Sequence, residues 1–306
     1  MQSTMDPLIR LPGLIVPPLT PFNEQLKVDN KALQNIVNYV VEDCNAAMVV
    51  AAGVEAQEYH YLTLEERKDL IARTIDYVDG RCPVAVGISH PSFKQAIELA
   101  HEAERLGATA VQLLAPLRPF GGEPTQDELI AYFEAIAKET RLPFVLYLNP
   151  GPGANVSIPD TIALSKLDCV KYVKESSRDL SRVSRLICEI ELSGHAKYFT
   201  TMQMLLITLE LGGSGVTLPP PAAALANKVI AAFSAGNIEE ASRLQRQFAL
   251  FPARWMHNGL TPTLKAAMNF LGVPAGQPYP PYKPIGGKEL VALEDYLKTT
   301  DLEVKS

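Results

Sequence analysis

The chain holds no apolar run of the roughly 20 residues that a bilayer-spanning helix needs, so no membrane partner is expected. It also lacks a basic stripe. Its 28 Lys and Arg are scattered among 34 Asp and Glu, for a formal charge of −6, and no cluster could neutralise a run of phosphates. Nucleic acid is therefore not an expected partner. The opening MQSTMDPLIR has neither the basic n-region nor the apolar h-region of a secretory signal, which makes the cytoplasm the expected compartment. The four cysteines (Cys44, Cys82, Cys169 and Cys188) form no CxxC and lie in apolar stretches, so buried free thiols are expected rather than disulfides. The five histidines make no HxH or HExxH spacing, so no catalytic metal is expected. No GxGxxG follows the first apolar run, which argues against a dinucleotide fold.

What is present is regular alternation. The composition, 47% hydrophobic and 20% charged, is that of a globular chain with a sizeable core. Short apolar runs recur at Leu14–Pro17, Ala47–Ala52, Pro83–Gly87, Ala110–Ala115, Pro143–Leu148, Cys169–Lys174, Ala196–Thr200 and Gly215–Leu218. Several are near-continuous Val/Ile/Leu, as strands buried on both faces should be. Helices lie between them. Asp29 can cap one whose apolar face is Leu33, Ile36, Val37 and Val40, while Thr63–Glu66 and Thr125–Glu128 have capping-box form. Phe93–Leu106 carries one apolar stripe and stops at Gly107, and a helix from about Ala222 stops near Gly236.

Eight strand-then-helix units must be parallel, and they predict an α/β fold of the (β/α)₈ TIM-barrel type; an open doubly wound sheet would normally use fewer. The barrel is expected over residues 1–235. Residues 236–306, with helical patterns at Ile238–Phe251, Thr263–Leu271 and Lys288–Lys298, read as a C-terminal extension packed on it within one structural domain.

Barrel enzymes carry reactive groups at the C-terminal ends of strands. That rule selects Lys174, ending VKYVKESS, and Tyr147, near the end of PFVLYLNP. A lysine ending an apolar strand is costly unless it is paired, exposed or neutral, and a neutral amine attacks carbonyls. A barrel-mouth lysine paired with Glu175 is the structural alternative. Neighbouring strands lie about 4.8 Å apart, so a phenol at 147 would reach an adduct on Lys174 and shuttle protons. Alternatively, it simply fills the barrel mouth.

The chain resembles the family of dihydrodipicolinate synthases and N-acetylneuraminate lyases, the pyruvate-type class I aldolases. The likeness runs over nearly the whole chain. It rests on Pro18–Phe22, Leu62–Arg67, Ala100–Ala110, Tyr147, Lys174-Glu175-Ser176-Ser177 and Gly212–Val216, in that order and spacing. The resemblance implies a barrel with C-terminal helices, Lys174 as the Schiff-base lysine and Tyr147 as the proton relay. It also implies a small carbonyl substrate and a homotetramer built from dimers. The amine does the work, so no cofactor is expected.

The departures concern substrate contacts. Where the family has a Gly-(Thr/Ser)-Thr-Gly-Glu loop holding the substrate carboxylate, this chain has Val54-Glu55-Ala56-Gln57-Glu58, so Glu55, Ala56 and Gln57 become the candidate substrate contacts. Pro152 stands where the synthases have an arginine for the second substrate's carboxylate. Leu117-Arg118 replaces a tyrosine pair, one of which crosses the family's dimer interface. Arg118 is a candidate replacement charge at the mouth, with a solvated loop arginine as its alternative. Thr217, near the end of the eighth strand, is a candidate substrate contact, with packing as its alternative. The expected activity is that of a Schiff-base aldolase, lyase or dehydratase other than authentic dihydrodipicolinate synthase. A non-catalytic, ligand-binding regulatory relative is the main rival. A metal-assisted barrel hydrolase would be indifferent to Lys174.

Overall fold

A computed structural model describes residues 9–55 and 58–305 of the chain. Eight parallel strands close into a barrel in chain order: β1 (Gly13–Val16), β2 (Met48–Ala51), β3 (Val84–Gly87), β4 (Ala110–Leu114), β5 (Phe144–Leu148), β6 (Val170–Glu175), β7 (Lys197–Thr200) and β8 (Gly215–Thr217). Each coincides with one of the eight apolar runs to within a residue or two. Alternate residues on the strands divide the core in two. Ile15, Met48, Val50, Ala85, Val145, Tyr172 and Phe199 fill the barrel interior, while their neighbours face the helices. The seam between β1 and β8 needs glycine. A Cβ on Gly215 (φ +144°) would lie 2.0 Å from the carbonyl oxygen of Gly13, so the Gly212–Gly215 run serves as a tight entry to the last strand.

Helices α1 (Asn30–Asn38), α2 (Leu64–Val78), α3 (Phe93–Arg105), α4 (Gln126–Ala137), α5 (Ile158–Ser165), α6 (Leu180–Leu186), α7 (Leu205–Glu210) and α8 (Pro220–Ser234) follow the strands in turn. The caps predicted for the first, second and fourth are formed. The Asp29 carboxylate accepts from the Ala32 N–H, and Thr63 and Thr125 each make a complete capping box with Glu66 and Glu128.

Three further helices, α9 (Ile238–Gln245), α10 (Leu260–Phe270) and α11 (Gly287–Leu297), form the C-terminal part. Two boundaries differ from expectation. The ninth helix gives way to a 3₁₀ turn at Arg246–Phe248 rather than running to Phe251. The tenth starts three residues early, since Pro262 falls in its first turn, where a missing N–H costs nothing. The cysteines also need correction: only Cys44 is buried, Cys82 and Cys169 are half-buried, and Cys188 is exposed on the π-helical turn after α6.

One buried ion pair joins the C-terminal helices to the barrel mouth. Lys265 Nζ lies 2.7 Å from the Glu58 carboxylate and donates to the carbonyls of Thr20 (2.8 Å) and Gln277 (2.9 Å), while the Thr20 N–H donates to Glu58 at 2.7 Å. Removing either partner would strand a buried charge, at a cost of about 3–5 kcal/mol. The one acidic residue that this chain shares with the family's loop is thus structural.

Candidate active site

Pairing of β5 with β6 sets Tyr147 directly beside Lys174. Lys174 shares its face with Tyr172 and points into the barrel; Glu175, one residue on, points to the helix layer. There its carboxylate takes Arg182 Nε at 2.9 Å and the Ser177 N–H at 2.9 Å. The pairing of Lys174 with Glu175, the simplest structural account of that lysine, is therefore not made.

Lys174 is 3% exposed. Its Nζ donates to Ser176 Oγ (2.7 Å) and, at the limit of hydrogen bonding, to Tyr147 OH (3.4 Å), and it stands 4.6 Å from the centroid of the Tyr147 ring. Burial lowers its pKa to about 8, against the opposing pull of the Glu55 and Glu175 carboxylates and with a small added push from Arg178. Burial likewise holds the Tyr147 phenol well above its ordinary range, so it is neutral. Ser176 Oγ closes the triangle, 3.5 Å from Tyr147 OH. A buried, largely desolvated amine beside a neutral phenol and a hydroxyl can add to a carbonyl and exchange protons locally.

Glu55 is buried at the same mouth. Its Oε1 takes Gln112 Nε2 at 3.3 Å, and Gln112 also accepts the Val54 N–H at 3.0 Å. Its Oε2 has no partner among the described residues. Burial pushes this carboxyl above the usual carboxylate range, and the Lys174 charge works the other way. Burial thus drives both members of the Glu55–Lys174 pair towards neutrality. Ala56 and Gln57 lie outside the described residues. Thr217 pairs with Ile15 on the interior face; its Oγ1 is buried and also without a partner among the described residues. Unpaired buried polar atoms cost about 1–3 kcal/mol, so two of them at one barrel mouth are consistent with atoms that a ligand satisfies. Arg118 is elsewhere: exposed, it pairs with Glu128 at 2.6 Å and donates to the Gly121 carbonyl at 3.3 Å.

A cavity of about 320 Å³ opens over this cluster. Glu55 and Asn149 form part of its wall, and Asn149 Nδ2 lies 3.4 Å from Tyr147 OH. Pro152, Tyr61 and two C-terminal segments, 259–262 and 278–282, supply the rest. A larger depression of about 600 Å³, beside Tyr39 and Lys305, lies at the N-terminal ends of the strands, away from this chemistry.

Four contributors escaped the sequence reading. Gln112 is a fully buried polar residue within the apolar strand AVQLL, the kind of position that signals a function or a network. Ser176 was visible only as part of a motif. Tyr279 and Tyr282 sit in a Pro-rich stretch whose place over the barrel depends on how the C-terminal helices pack.

The Dihydrodipicolinate synthetase family model matches residues 10–300. The 4-hydroxy-tetrahydrodipicolinate synthase 1 of Halalkalibacterium halodurans is 30% identical over 281 residues, covering 90% of this chain and 92% of that one. Among solved structures, one described as the first monomeric dihydrodipicolinate synthase variant superposes with a TM-score of 0.87 at 26% identity, over 97% of this chain and 99% of that one. The N-acetylneuraminate lyase of Mycoplasma synoviae shares the fold, with a TM-score of 0.80 at 23% identity over 96% and 98% of the two chains. The family's members are lyases of the aldolase type. With nearly its whole length matched, this chain belongs to the dihydrodipicolinate synthetase family.

Proposed function

We propose that this chain is a Schiff-base lyase of the aldolase or dehydratase kind, acting on a small carbonyl compound through Lys174. The observation that carries this reading is the buried Lys174 amine, depressed to about 8 and 3.4 Å from the Tyr147 phenol. The Nζ lone pair adds to the carbonyl carbon, and the carbinolamine loses water to give an iminium. That cation draws in the electron pair of a bond on the neighbouring carbon, and Tyr147 moves the proton. The protein's own amine is the electron sink, so no cofactor is called for. The test is mass spectrometry after borohydride treatment with a panel of 2-oxo acids, ketones and aldehydes. Irreversible mass at Lys174 with the true substrate is expected; trapping without turnover of any panel member would favour a non-catalytic binder.

Lysine biosynthesis is a poor match to this mouth, although the curated relatives carry the synthase name. Pro152 lines the cavity where the synthases have an arginine, and no Lys or Arg lines it among the described residues. Condensation of pyruvate with aspartate semialdehyde is expected to stay at background in a coupled reductase assay; robust product would refute this.

Glu55 governs the donor side. A carboxylate placed here meets a buried acid in place of hydroxyls, and each unsatisfied buried group costs about 1–3 kcal/mol. Pyruvate is therefore expected to bind weakly. Glu55→Thr should tighten pyruvate trapping by about tenfold while slowing the native substrate. Unchanged trapping would take Glu55 out of substrate selection.

The assembly proposed is a homotetramer built from dimers. Its support is the loop after β4, where Leu117, at the position of the family's tyrosine pair, is 50% exposed and Phe120, among the residues that follow, is 97% exposed. Light scattering should give four times the 33.4 kDa chain mass, and a monomer would overturn the proposal.

A further inference from the structure

We propose that Arg182, behind the barrel wall, is a positioning residue for Lys174: it holds Glu175 in the helix layer and cancels its charge, which leaves the neighbouring amine able to act as a nucleophile. This rests on the Schiff-base reading above and adds a residue that works without touching substrate.

The argument starts from a conflict between neighbours. Lys174 and Glu175 are consecutive and both buried, at 3% and 1% exposure. An ammonium and a carboxylate so close in a low-dielectric wall attract strongly, and the attraction favours the charged amine, which cannot attack a carbonyl. Alternation along β6 sends the two side chains to opposite faces, but it does not remove the carboxylate's charge. A counter-charge on the outer face does. Arg182 Nε, from α6, meets Glu175 Oε2 at 2.9 Å, and at 18% exposure its charge is little screened by solvent.

The pair is held from several sides. Arg182 Nη2 donates at 3.2 Å to Oγ1 of Thr161, a buried residue of α5, and the Ser177 N–H donates to the other Glu175 oxygen at 2.9 Å. Strand β7 contributes Tyr198, whose buried hydroxyl has no partner among the described residues and which burial keeps neutral. Tyr198 thus brings no charge, and Glu175 and Arg182 set the balance on this face.

The other groups around the amine do a different job. Glu55, from the loop after β2, favours the ammonium, and burial drives it towards neutrality. Tyr147 on β5 is neutral. Arg178, after β6, is exposed and donates to Gln203 Oε1 at 3.1 Å, so solvent screens it. Glu175 also pulls the amine towards its charged form, and Arg182 is the group that answers it.

The test reads the amine without any substrate. Trace acetic anhydride acetylates neutral amines, and mass spectrometry of the Lys174 peptide from about pH 6 to about pH 11 gives the pH at which that amine becomes reactive. In the native protein this onset should lie near 8. Arg182→Gln leaves the Glu175 charge uncancelled and should raise the onset by about one pH unit, a tenfold loss of neutral amine at pH 7. Glu175→Gln leaves the cation alone and should lower the onset by a similar amount. The double variant, with both charges gone, should return near the native onset. An onset that Arg182→Gln leaves in place or lowers would overturn the proposal, as would one that Glu175→Gln leaves in place or raises. A double variant displaced further than either single one marks a merely structural role and overturns it too. Should Arg182→Gln fail to fold, Glu175→Gln decides alone. Borohydride trapping with the carbonyl panel tests the Schiff-base reading separately on the same proteins: absence of an adduct counts against that reading and leaves the acetylation result standing.

Discussion

Replacing Lys174 with Ala or Met is expected to abolish the borohydride-trapped adduct and reduce turnover to background. The magnitude follows from protonation. With a pKa of about 8, roughly a tenth of the Lys174 amine is neutral at pH 7, against well under 0.1% for an exposed lysine near 10.4. Burial therefore supplies a hundredfold or more in nucleophile, and the adduct rate should climb with pH and level off above about 8. The same burial opposes stability. Between pH 8 and 10.5 the unfolded chain holds the lysine proton and the native state has released it, so stability rises with pH across that window. Below 8 the cost is fully present, of order 3 kcal/mol. Lys174→Met keeps the volume and removes the charge, so it should melt higher than the native protein at pH 7. That gain should fade as pH approaches 10.5. Part of it is returned by Glu55, which loses its positive neighbour. An inactive but stabilised variant separates lost chemistry from lost folding, and surviving turnover in either variant would end the Schiff-base mechanism.

The barrel was readable because each strand is an apolar run short enough to be buried on both faces, and because helix starts such as Thr63 and Thr125 carry their capping partners three residues on. Lys174 and Tyr147 were readable for a related reason. Strand ends are local features, and the parallel order of neighbouring strands brings consecutive ends together. What resisted reading was non-local. That Glu175 turns to Arg182 follows from the alternation of the strand, but that Arg182 is there to meet it depends on the next helix. Arg118 looked like a charge for the mouth because it follows a strand end, yet Glu128, ten residues on, holds it at the surface. Glu58, the family's acid in an otherwise altered loop, answers to Lys265, more than two hundred residues away. The tyrosines over the mouth belong to a segment without periodicity, and only the packing of the C-terminal helices places them.

Tyr147→Phe is expected to lower turnover by about 10²–10⁴-fold, the scale of a lost proton relay, while leaving the fold in place. The ring is 2% exposed, packed with Val54 and Leu114, and the substitution keeps it. Only the hydroxyl goes. Asn149 then loses a 3.4 Å contact, which costs about 1 kcal/mol of stability. The residual rate should not fall to background, since Ser176 Oγ remains 2.7 Å from the lysine and can pass protons slowly or through water. The two substitutions should therefore part on one measurement. Without the lysine no adduct forms at any time; without the phenol the adduct still accumulates at Lys174, but slowly, and its reduced form has the same mass. Because the phenol stays neutral far above pH 10, its role is to hand a proton on rather than to act as a fixed base, so its removal should scale the pH profile down without moving the rise near 8. An unchanged rate with the native substrate would remove Tyr147 from the mechanism, and a shifted profile at full rate would reassign it to tuning the lysine.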